Sequence, residues 1–350
     1  IDDGVSLASR RKTRRAARTA RELAVLSRPI LSAERGLFVI GSCFANEIRA
    51  MLERARVDVH PAIRDDLPPL FPDAVKVPPA WGPWDERVSY QCYTPFSIRQ
   101  EVAAAFGHFE MDPYALFLAK KDGAEAVWEP YRRGIYADKA ETVLRIRDKM
   151  SEQIRTGLRQ AGAVVMTLGL VEAHRLKAHP GFACEYNLAF KDATEFHNGG
   201  LTDTLEAMAQ TVEMIRAEMP GKPVIFTVSP IPLNRTFTQL DVISATMRAK
   251  SILRTACDEM QARYDNVHYW PSYEFVMWSG EGFREDDVRH VRREVAHEIT
   301  RSFCRAFFDP ADATRILGRL EGMDLADPAP PPPRRKKPLK RLVSLLKGQG

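Results

Sequence analysis

The sequence feature that most constrains the fold is an alternation of short apolar segments with longer stretches of helical periodicity. Apolar segments rich in β-branched residues lie at 37–40, 56–60, 163–168, 223–228 and 266–270. Helical periodicity lies at 45–55, 139–160, 202–218, 238–264 and 290–308. Apolar segments without alternating polar residues are typical of strands buried on both faces, as in a parallel sheet. The alternation therefore predicts an α/β domain with helices on both sides of a parallel five-stranded sheet.

The chain divides into four parts by composition. Residues 36–320 form the predicted globular domain, within which the proline- and aromatic-rich segment 61–135 is predicted to be an insertion between the second and third strands. A basic arm, residues 1–35, precedes this domain. A proline-rich linker, residues 321–333, follows it, because consecutive prolines favour an extended chain over helix or sheet. A basic tail, residues 334–350, ends the sequence.

The positive charge of the chain is concentrated near its two ends. The net charge is +5, but seven of the 51 basic residues lie between positions 10 and 21 and seven more between 334 and 350. Without these two segments, 46 acidic residues outnumber 37 basic ones. Binding of nucleic acid requires positive charge on the binding face, so no nucleic-acid partner is expected of the acidic domain.

Cysteine usage and hydropathy favour a cytoplasmic protein. The five cysteines are widely spaced, are odd in number and form no Cys-x-x-Cys pair, which favours reduced thiols over a disulfide scaffold. No apolar segment approaches the roughly 20 residues that a membrane-spanning helix needs.

The tail predicts a second property, contact with a membrane surface. Apolar residues recur at helical spacing beside lysines and arginines, at Leu339, Leu342, Val343 and Leu346. A short basic amphipathic helix of this kind can lie on an anionic lipid surface, here the inner membrane surface. The alternative is a disordered soluble tail, because so short a helix is only marginally stable in water.

The most informative candidate site follows the first predicted strand. Gly41 permits a tight turn, and Ser42 then lies at the N-terminus of the next helix. Free backbone N–H groups and the positive end of the helix dipole stabilise negative charge there, so a serine in this place can act as a nucleophile. The alternative is an ordinary N-cap, since serine is favoured in that position. Cys43 competes as nucleophile, although its apolar neighbours favour a packed thiol.

A base for this serine is predicted near the end of the domain. His290 is expected to open the last helix, and Asp287 lies three residues earlier, so both side chains can meet on one side of a first helical turn. A carboxylate on the second imidazole nitrogen fixes the tautomer and stabilises the imidazolium. Asp286 is an alternative source of that carboxylate. The non-catalytic alternative is that the aspartate is the N-cap of the helix and the histidine lies on the surface.

Other candidate site residues follow the third predicted strand. Gly169 comes directly after that strand, where its backbone N–H can approach a substrate oxygen. Glu172 lies on the same loop and can be a polar neighbour of the site or part of a solvated turn. Asn198 can donate to an oxyanion, or it can cap the helix predicted at 202.

A metal site is the remaining possibility that the residue types suggest. Its candidate ligands are His174, His179, Cys184 and His197. Their spacing matches no established zinc pattern, so neither a metal nor a cofactor is expected.

Several separate blocks of the sequence resemble the GSCFA domain family. The first is Gly41-Ser-Cys-Phe-Ala45, which carries the motif that names the family. The others, in order, are Tyr93-Thr-Pro-Phe-Ser97-Ile-Arg-Gln-Glu101, Thr167-Leu-Gly-Leu-Val-Glu172, Phe196-His-Asn198, Thr227-Val-Ser-Pro-Ile-Pro-Leu233, Tyr269-Trp-Pro-Ser-Tyr-Glu274 and Asp287-Val-Arg-His290. They span roughly residues 36–305, and an ordered series of blocks is far more specific than any one of them.

The resemblance implies both a fold and a set of site residues. The GSCFA family is similar to the SGNH, or GDSL-like, hydrolases, which have a three-layer α/β/α sandwich with a mostly parallel sheet. In that superfamily a serine after the first strand works with an Asp-x-x-His segment near the end of the domain. The matching residues here are Ser42, Asp287 and His290, and the glycine of the third block matches Gly169.

The sequence departs from the SGNH pattern in two places. Gly-Ser-Cys stands where that superfamily has Gly-Asp-Ser, and no Gly-x-Asn-Asp follows the third strand. Glu172 and Asn198 are the nearest polar substitutes. The departure concerns the groups that bind the oxyanion rather than the nucleophile.

The activity that the resemblance implies is acyl transfer from an ester. We expect a serine-dependent acyl-ester hydrolase or O-acyltransferase that acts on an acylated glycan or another small ester. The N–H groups of Ser42 and Gly169 are expected to hold the oxyanion, with help from Asn198. The alternative is a non-catalytic glycan-binding or envelope-assembly protein that retains the fold.

Overall fold

The computed structural model describes residues 29–62, 86–121, 124–186, 188–279, 282–284 and 289–323. In chain order the strands are β1 (Leu37–Gly41), β2 (Val59–His60), β3 (Phe117–Lys121), β4 (Ala124–Trp128), β5 (Tyr136–Ala137), β6 (Ala163–Leu168), β7 (Glu172–Leu176), β8 (Phe182–Ala183), β9 (Thr194–Asn198), β10 (Val224–Val228) and β11 (Val267–Tyr269). The α-helices are α1 (Cys43–Arg54), α2 (Glu86–Ser89), α3 (Pro95–Phe106), α4 (Ala140–Gln160), α5 (Leu201–Glu218), α6 (Val242–Arg263), α7 (Ser272–Trp278), α8 (Arg293–Phe307) and α9 (Pro310–Glu321).

The central sheet has five parallel strands in the order β11-β10-β6-β1-β2. All residues of β1, β6 and β10 are buried, as expected for strands covered on both faces. The five strands predicted from apolar segments are these five, so the prediction of a parallel five-stranded sheet is confirmed.

Helices cover both faces of this sheet. Alternate residues of β1 point to opposite layers: Phe38 packs in one hydrophobic cluster and Leu37 in the other. The first cluster contains buried residues of α3, α4, α5 and α6, and the second contains buried residues of α1, α7, α8 and α9. The observed architecture is therefore α/β with helical layers on both sides.

The described part of segment 61–135 contains two kinds of structure. Helix α3 contributes Ile98 and Val102 to the same cluster as the central sheet. Strands β3 and β4 instead belong to a separate antiparallel sheet, whose third strand, β5, directly follows the segment. The segment thus combines a helix that belongs to the main core with two strands of a peripheral sheet.

A buried ion pair joins α3 to the chain before β5. The guanidinium of Arg132 donates from Nε and Nη2 to the two carboxylate oxygens of Glu101, at 2.9 and 2.8 Å. Both side chains are at most 2% exposed. Removal of one partner of such a pair leaves a buried charge without compensation, so the contact fixes this part of the chain firmly. The next residue, Arg133, is thereby held near the candidate site.

The end of the predicted domain differs from the structure. The last predicted helix was expected to start at 290, but α8 starts at Arg293 and a further helix, α9, follows it. The extended pairing of Phe283 with Val291 accounts for the later start, because residues in such a bridge are not helical. The basic arm up to residue 28 and the linker and tail from 324 onward lie outside the described residues, so these parts remain predictions.

Within the described ranges, the structure contains no helix of the length and apolar character that crossing a bilayer requires.

Candidate active site

The candidate site lies where the strand order of the sheet reverses direction. From β1 the chain passes to β2 on one side and later to β6 on the other. Open α/β sheets bind ligands outside the carboxyl ends of the strands at such a switch point. Ser42 directly follows β1, and Gly169 directly follows β6. The sheet therefore brings these two predicted residues to the same edge.

Gly41 allows the close approach that places Ser42. Its φ is +146°, a conformation that residues with a side chain rarely adopt. A β-carbon at this position would lie 2.3 Å from the carbonyl oxygen of Thr167 in the neighbouring strand. That same carbonyl oxygen accepts the N–H of Ser42 at 3.1 Å. Only glycine fits between the ends of β1 and β6.

Ser42 occupies the N-cap position of α1 but does not act as a cap. Its backbone is extended, and its side chain makes no hydrogen bond to the first turn of the helix. The residue is 2% exposed, and its Oγ has no hydrogen-bond partner in the described part of the chain. By contrast, the hydroxyl of Thr94 caps α3 by accepting the N–H of Ser97 at 3.1 Å. The capping interpretation of Ser42 is therefore wrong.

The neighbouring thiol of Cys43 is a poor nucleophile in this environment. Burial raises its pKa above the usual range, although the positive charges of Arg133, Arg289 and Lys250 act in the opposite direction. Since the thiolate is the reactive form, a raised pKa disfavours Cys43 as the nucleophile at neutral pH.

A cavity of about 170 Å³ lies beside the first turn of α1 and includes His290. Its lining residues are Cys43, Phe44, Asn46, Glu47, Val88, Gln91, Ile231, His290 and Val291. The structure thus brings His290 and the beginning of α1 to one cavity, although they are separated by almost 250 positions in the sequence.

His290 lies in a bend directly before the bridge residue Val291 rather than in a helix. Residues 282–284 pair with 290–292, and the N–H of Arg284 donates to the carbonyl oxygen of His290 at 3.0 Å. The expectation that Asp287 and His290 share a first helical turn is therefore wrong for His290. Asp287 lies outside the described residues, so its role remains a prediction.

The two N–H groups expected to hold an oxyanion are already engaged. The N–H of Gly169 donates to the carbonyl oxygen of Tyr93 at 2.9 Å, and that of Ser42 donates to Thr167. This part of the prediction is corrected by the structure. The next two N–H groups, of Cys43 and Phe44, are in the first turn of α1, where an α-helix supplies no acceptor.

Glu172 and Asn198 face each other across β7 and β9. The carboxylate of Glu172 accepts the hydroxyl of Thr236 at 2.7 Å and the N–H of Phe237 at 3.0 Å. The side-chain oxygen of Asn198 accepts from Arg248 at 2.6 Å. Glu172 therefore holds the loop that contains Thr236 and Phe237, and Asn198 is bonded to helix α6; their contact with a substrate remains a prediction.

The four candidate metal ligands have separate surroundings. His174 packs against aromatic rings, among them Phe237, and burial lowers its pKa. His179 pairs with the carboxylate of Asp112 at 2.7 Å, and Cys184 donates to a backbone carbonyl at 3.0 Å. His197 stacks edge-on against an aromatic ring of α3. Within the described residues, no group of three or more potential ligands is positioned to hold a metal ion.

A polar network near Ser42 was missed by sequence reasoning. Arg133 donates to the side chains of Gln91 and Tyr93, at 2.6 Å each, and to Glu185 at 2.9 Å. The backbone of Tyr93 in turn accepts from Gly169. These residues come from four separate parts of the chain, and no periodic pattern or spacing connects them in the sequence.

Lys250 was also missed, although the sequence contained a signal for it. The buried face of α6 includes Ala249 and Leu253, and Lys250 lies on that same face at 1% exposure. A lysine at a position that helical periodicity assigns to the core is unusual and could have been noticed.

The family model of the GSCFA family matches residues 36–303. The chain belongs to the GSCFA family. The match covers the central sheet, the first helical layer, most of the second and the segments that carry Ser42, Gly169 and His290, so the site is part of this GSCFA domain. No curated protein and no solved structure matches the chain.

Proposed function

We propose that this GSCFA protein is a serine-dependent acyl-ester hydrolase or O-acyltransferase with Ser42 as its nucleophile. The observation that carries the proposal is the hydroxyl of Ser42, which is buried at the switch point of the sheet without a hydrogen-bond partner among the described residues. A buried polar group without a partner costs about 1–3 kcal/mol of stability. A catalytic role is one physical explanation for such a group in a native structure.

The proposed reaction begins with proton transfer from Ser42 to His290. The Oγ of Ser42 attacks the ester carbonyl, and the carbonyl oxygen becomes an oxyanion. Asp287 is proposed to orient the imidazole, as in other Ser-His-Asp sites. His290 then gives its proton to the leaving alcohol, and water or a sugar hydroxyl releases the acyl group.

The oxyanion is assigned to the N-terminus of α1. The N–H groups of Cys43 and Phe44 are the first without an intrahelical acceptor, and the helix dipole adds to their effect. One hydrogen-bond donor to an oxyanion typically stabilises the transition state by about 2.7–4 kcal/mol. The proposal includes formation of the hydrogen bond between Ser42 and His290 when substrate binds, because catalytic hydrogen bonds often form fully only in the complex.

Release of acetate from an O-acetylated polysaccharide tests hydrolysis against simple binding. We expect acetate release by the wild type and none by Ser42→Ala, with the released acetate measured by a coupled assay. Saturable binding of the polysaccharide by both proteins without any release would support the alternative, a non-catalytic glycan-binding or envelope-assembly protein. The SGNH-like fold and the glycan substrate are both drawn from the resemblance of the sequence blocks.

Membrane contact by residues 334–350 is a separate proposal, which rests on the amphipathic pattern of that tail. Co-sedimentation with anionic liposomes is expected for the full chain and lost when residues 328–350 are removed. Equal partitioning of the two proteins would contradict it.

A further inference from the structure

Two lysines are buried in the described part of the chain, and they differ in how their amines are satisfied. Lys222 donates to three backbone carbonyl oxygens, those of Leu158, Arg159 and Ala161, at 2.6–3.1 Å. An ammonium has three N–H donors, so this group is fully satisfied. Lys250 is more deeply buried, at 1% exposure, yet in the described structure it donates only to the carbonyl oxygen of Gly169, at 2.8 Å.

The single contact of Lys250 connects it to the nucleophile. Its acceptor belongs to Gly169, which packs so closely on Ser42 that a β-carbon at position 169 would lie 3.2 Å from the β-carbon of Ser42. The charge of the amine also acts on Cys43, the residue that follows Ser42. Lys250 therefore reaches the site both through a hydrogen bond and through its electric field.

We propose that Lys250 is a positioning residue for the Ser42 reaction, which holds the Gly169 turn against Ser42 and, when protonated, stabilises the negative charge that develops there. The inference rests on the proposed nucleophile. A buried cation is expensive unless something compensates for it, and in the described structure no carboxylate pairs with Lys250. An oxyanion at the N-terminus of α1 would provide that compensation only during the reaction.

The charge of Lys250 changes within the range of ordinary assays. Burial lowers the pKa of its amine to about 7. The ammonium form therefore predominates below pH 7 and is lost above it, and its contribution to the Ser42 reaction follows the same course. The hydrogen bond to Gly169 persists at all these pH values, because a neutral amine also donates.

Among the described residues, few other titratable groups act on this amine. In the described structure the group that acts on it is the thiol of Cys43 from α1, whereas α5, β10 and β11, which also pack on α6, contribute none. Arg133 and Arg289 act on that same thiol, and Glu47 opposes them. The pKa of Arg133 is raised, so its guanidinium keeps its charge throughout the range and Lys250 is distinguished from it by its titration.

The test compares Lys250→Met with the wild type and with Lys222→Met as the matched control. Methionine fills a similar volume without charge, so Lys250→Met is expected to fold. The rate of Ser42 labelling by a fluorophosphonate is measured from pH 5.5 to 9. In this reaction the Ser42 Oγ–P bond forms, the P–F bond breaks, fluoride leaves and the hydroxyl proton passes to His290. We expect Lys250→Met to be slower by about tenfold at pH 6, with the difference decreasing around pH 7. Lys222→Met is expected to keep the wild-type profile.

Nuclear magnetic resonance of lysine enriched with carbon-13 at Cε provides a readout that does not depend on the reaction of Ser42 with the fluorophosphonate. The signal that disappears in Lys250→Met belongs to Lys250, and we expect it to titrate near pH 7. A titration midpoint of this signal near the ordinary pKa of lysine would overturn the inference about Lys250 and leave the proposed function standing. Equal pH profiles of Ser42 labelling for wild type and Lys250→Met would do the same. If the wild type gives no adduct on Ser42 at any pH, the proposed function fails, and the inference fails with it.

Discussion

Ser42→Ala is expected to abolish ester hydrolysis while leaving the protein at least as stable as the wild type. Loss of a nucleophile costs about 10³-fold or more in turnover, because only the remaining site groups still act. The hydroxyl has no partner in the described structure, so its removal deletes an unsatisfied buried polar group and is expected to change stability by about 0 to +1 kcal/mol. Turnover of an aryl acetate and thermal melting measure the two effects.

The direction of the stability change separates catalysis from capping. An N-cap serine replaced by alanine costs about 1 kcal/mol, the opposite sign. Cys43→Ser is the matched control at the next position, and we expect it to retain activity because burial keeps the thiol protonated. Equal turnover by wild type and Ser42→Ala would contradict the assignment. Loss of activity in Cys43→Ser alone would move the nucleophile to position 43.

Gly41→Ala is expected to be the most destabilising single substitution near the site. The added β-carbon would lie 2.3 Å from a backbone oxygen and 2.7 Å from a backbone nitrogen of Thr167, and neither can move without separating β1 from β6. The positive φ adds strain for any side chain. Together these effects cost about 4 kcal/mol or more. Thermal melting should show a fall of the midpoint by about 5 °C or more.

Gly318→Ala provides the control for this substitution. Gly318 lies in α9 with open space around it, so alanine is expected to stabilise the helix by about 0.5–1 kcal/mol. A glycine-to-alanine change thus has opposite signs at the two positions. If Gly41→Ala melted at the wild-type temperature, the close approach of β1 and β6 would not be required, and the argument for the position of Ser42 would be lost.

The central strands were the most predictable part of the fold. The segment 163–168 was predicted and observed with the same bounds, because a strand buried on both faces is a continuous apolar run. The edge strand β2 is shorter than predicted, since Arg56 adopts a φ of +59° and belongs to the turn after α1. Helix α9 was missed although Asp309 and Pro310 form a recognisable start signal, with Asp309 accepting two backbone N–H groups.

The site residues that directly follow a predicted strand could be located from the sequence, whereas the others were much less predictable. Ser42 and Gly169 lie at the carboxyl ends of neighbouring strands, and strand order alone brings them together. The state of the Gly169 N–H group depends on Tyr93, whose carbonyl oxygen reaches it from a distant segment that no spacing rule connects to Gly169. Likewise, the single acceptor of Lys250 is a property of the packed structure that its position on the helix does not reveal.

The identity of the nucleophile is tested most directly by the mass of the peptide that contains residues 42 and 43 after reaction with a fluorophosphonate. We predict one adduct, located on Ser42 by fragmentation and absent from Ser42→Ala. An unmodified peptide, or an adduct on another residue in an active protein, would contradict the account.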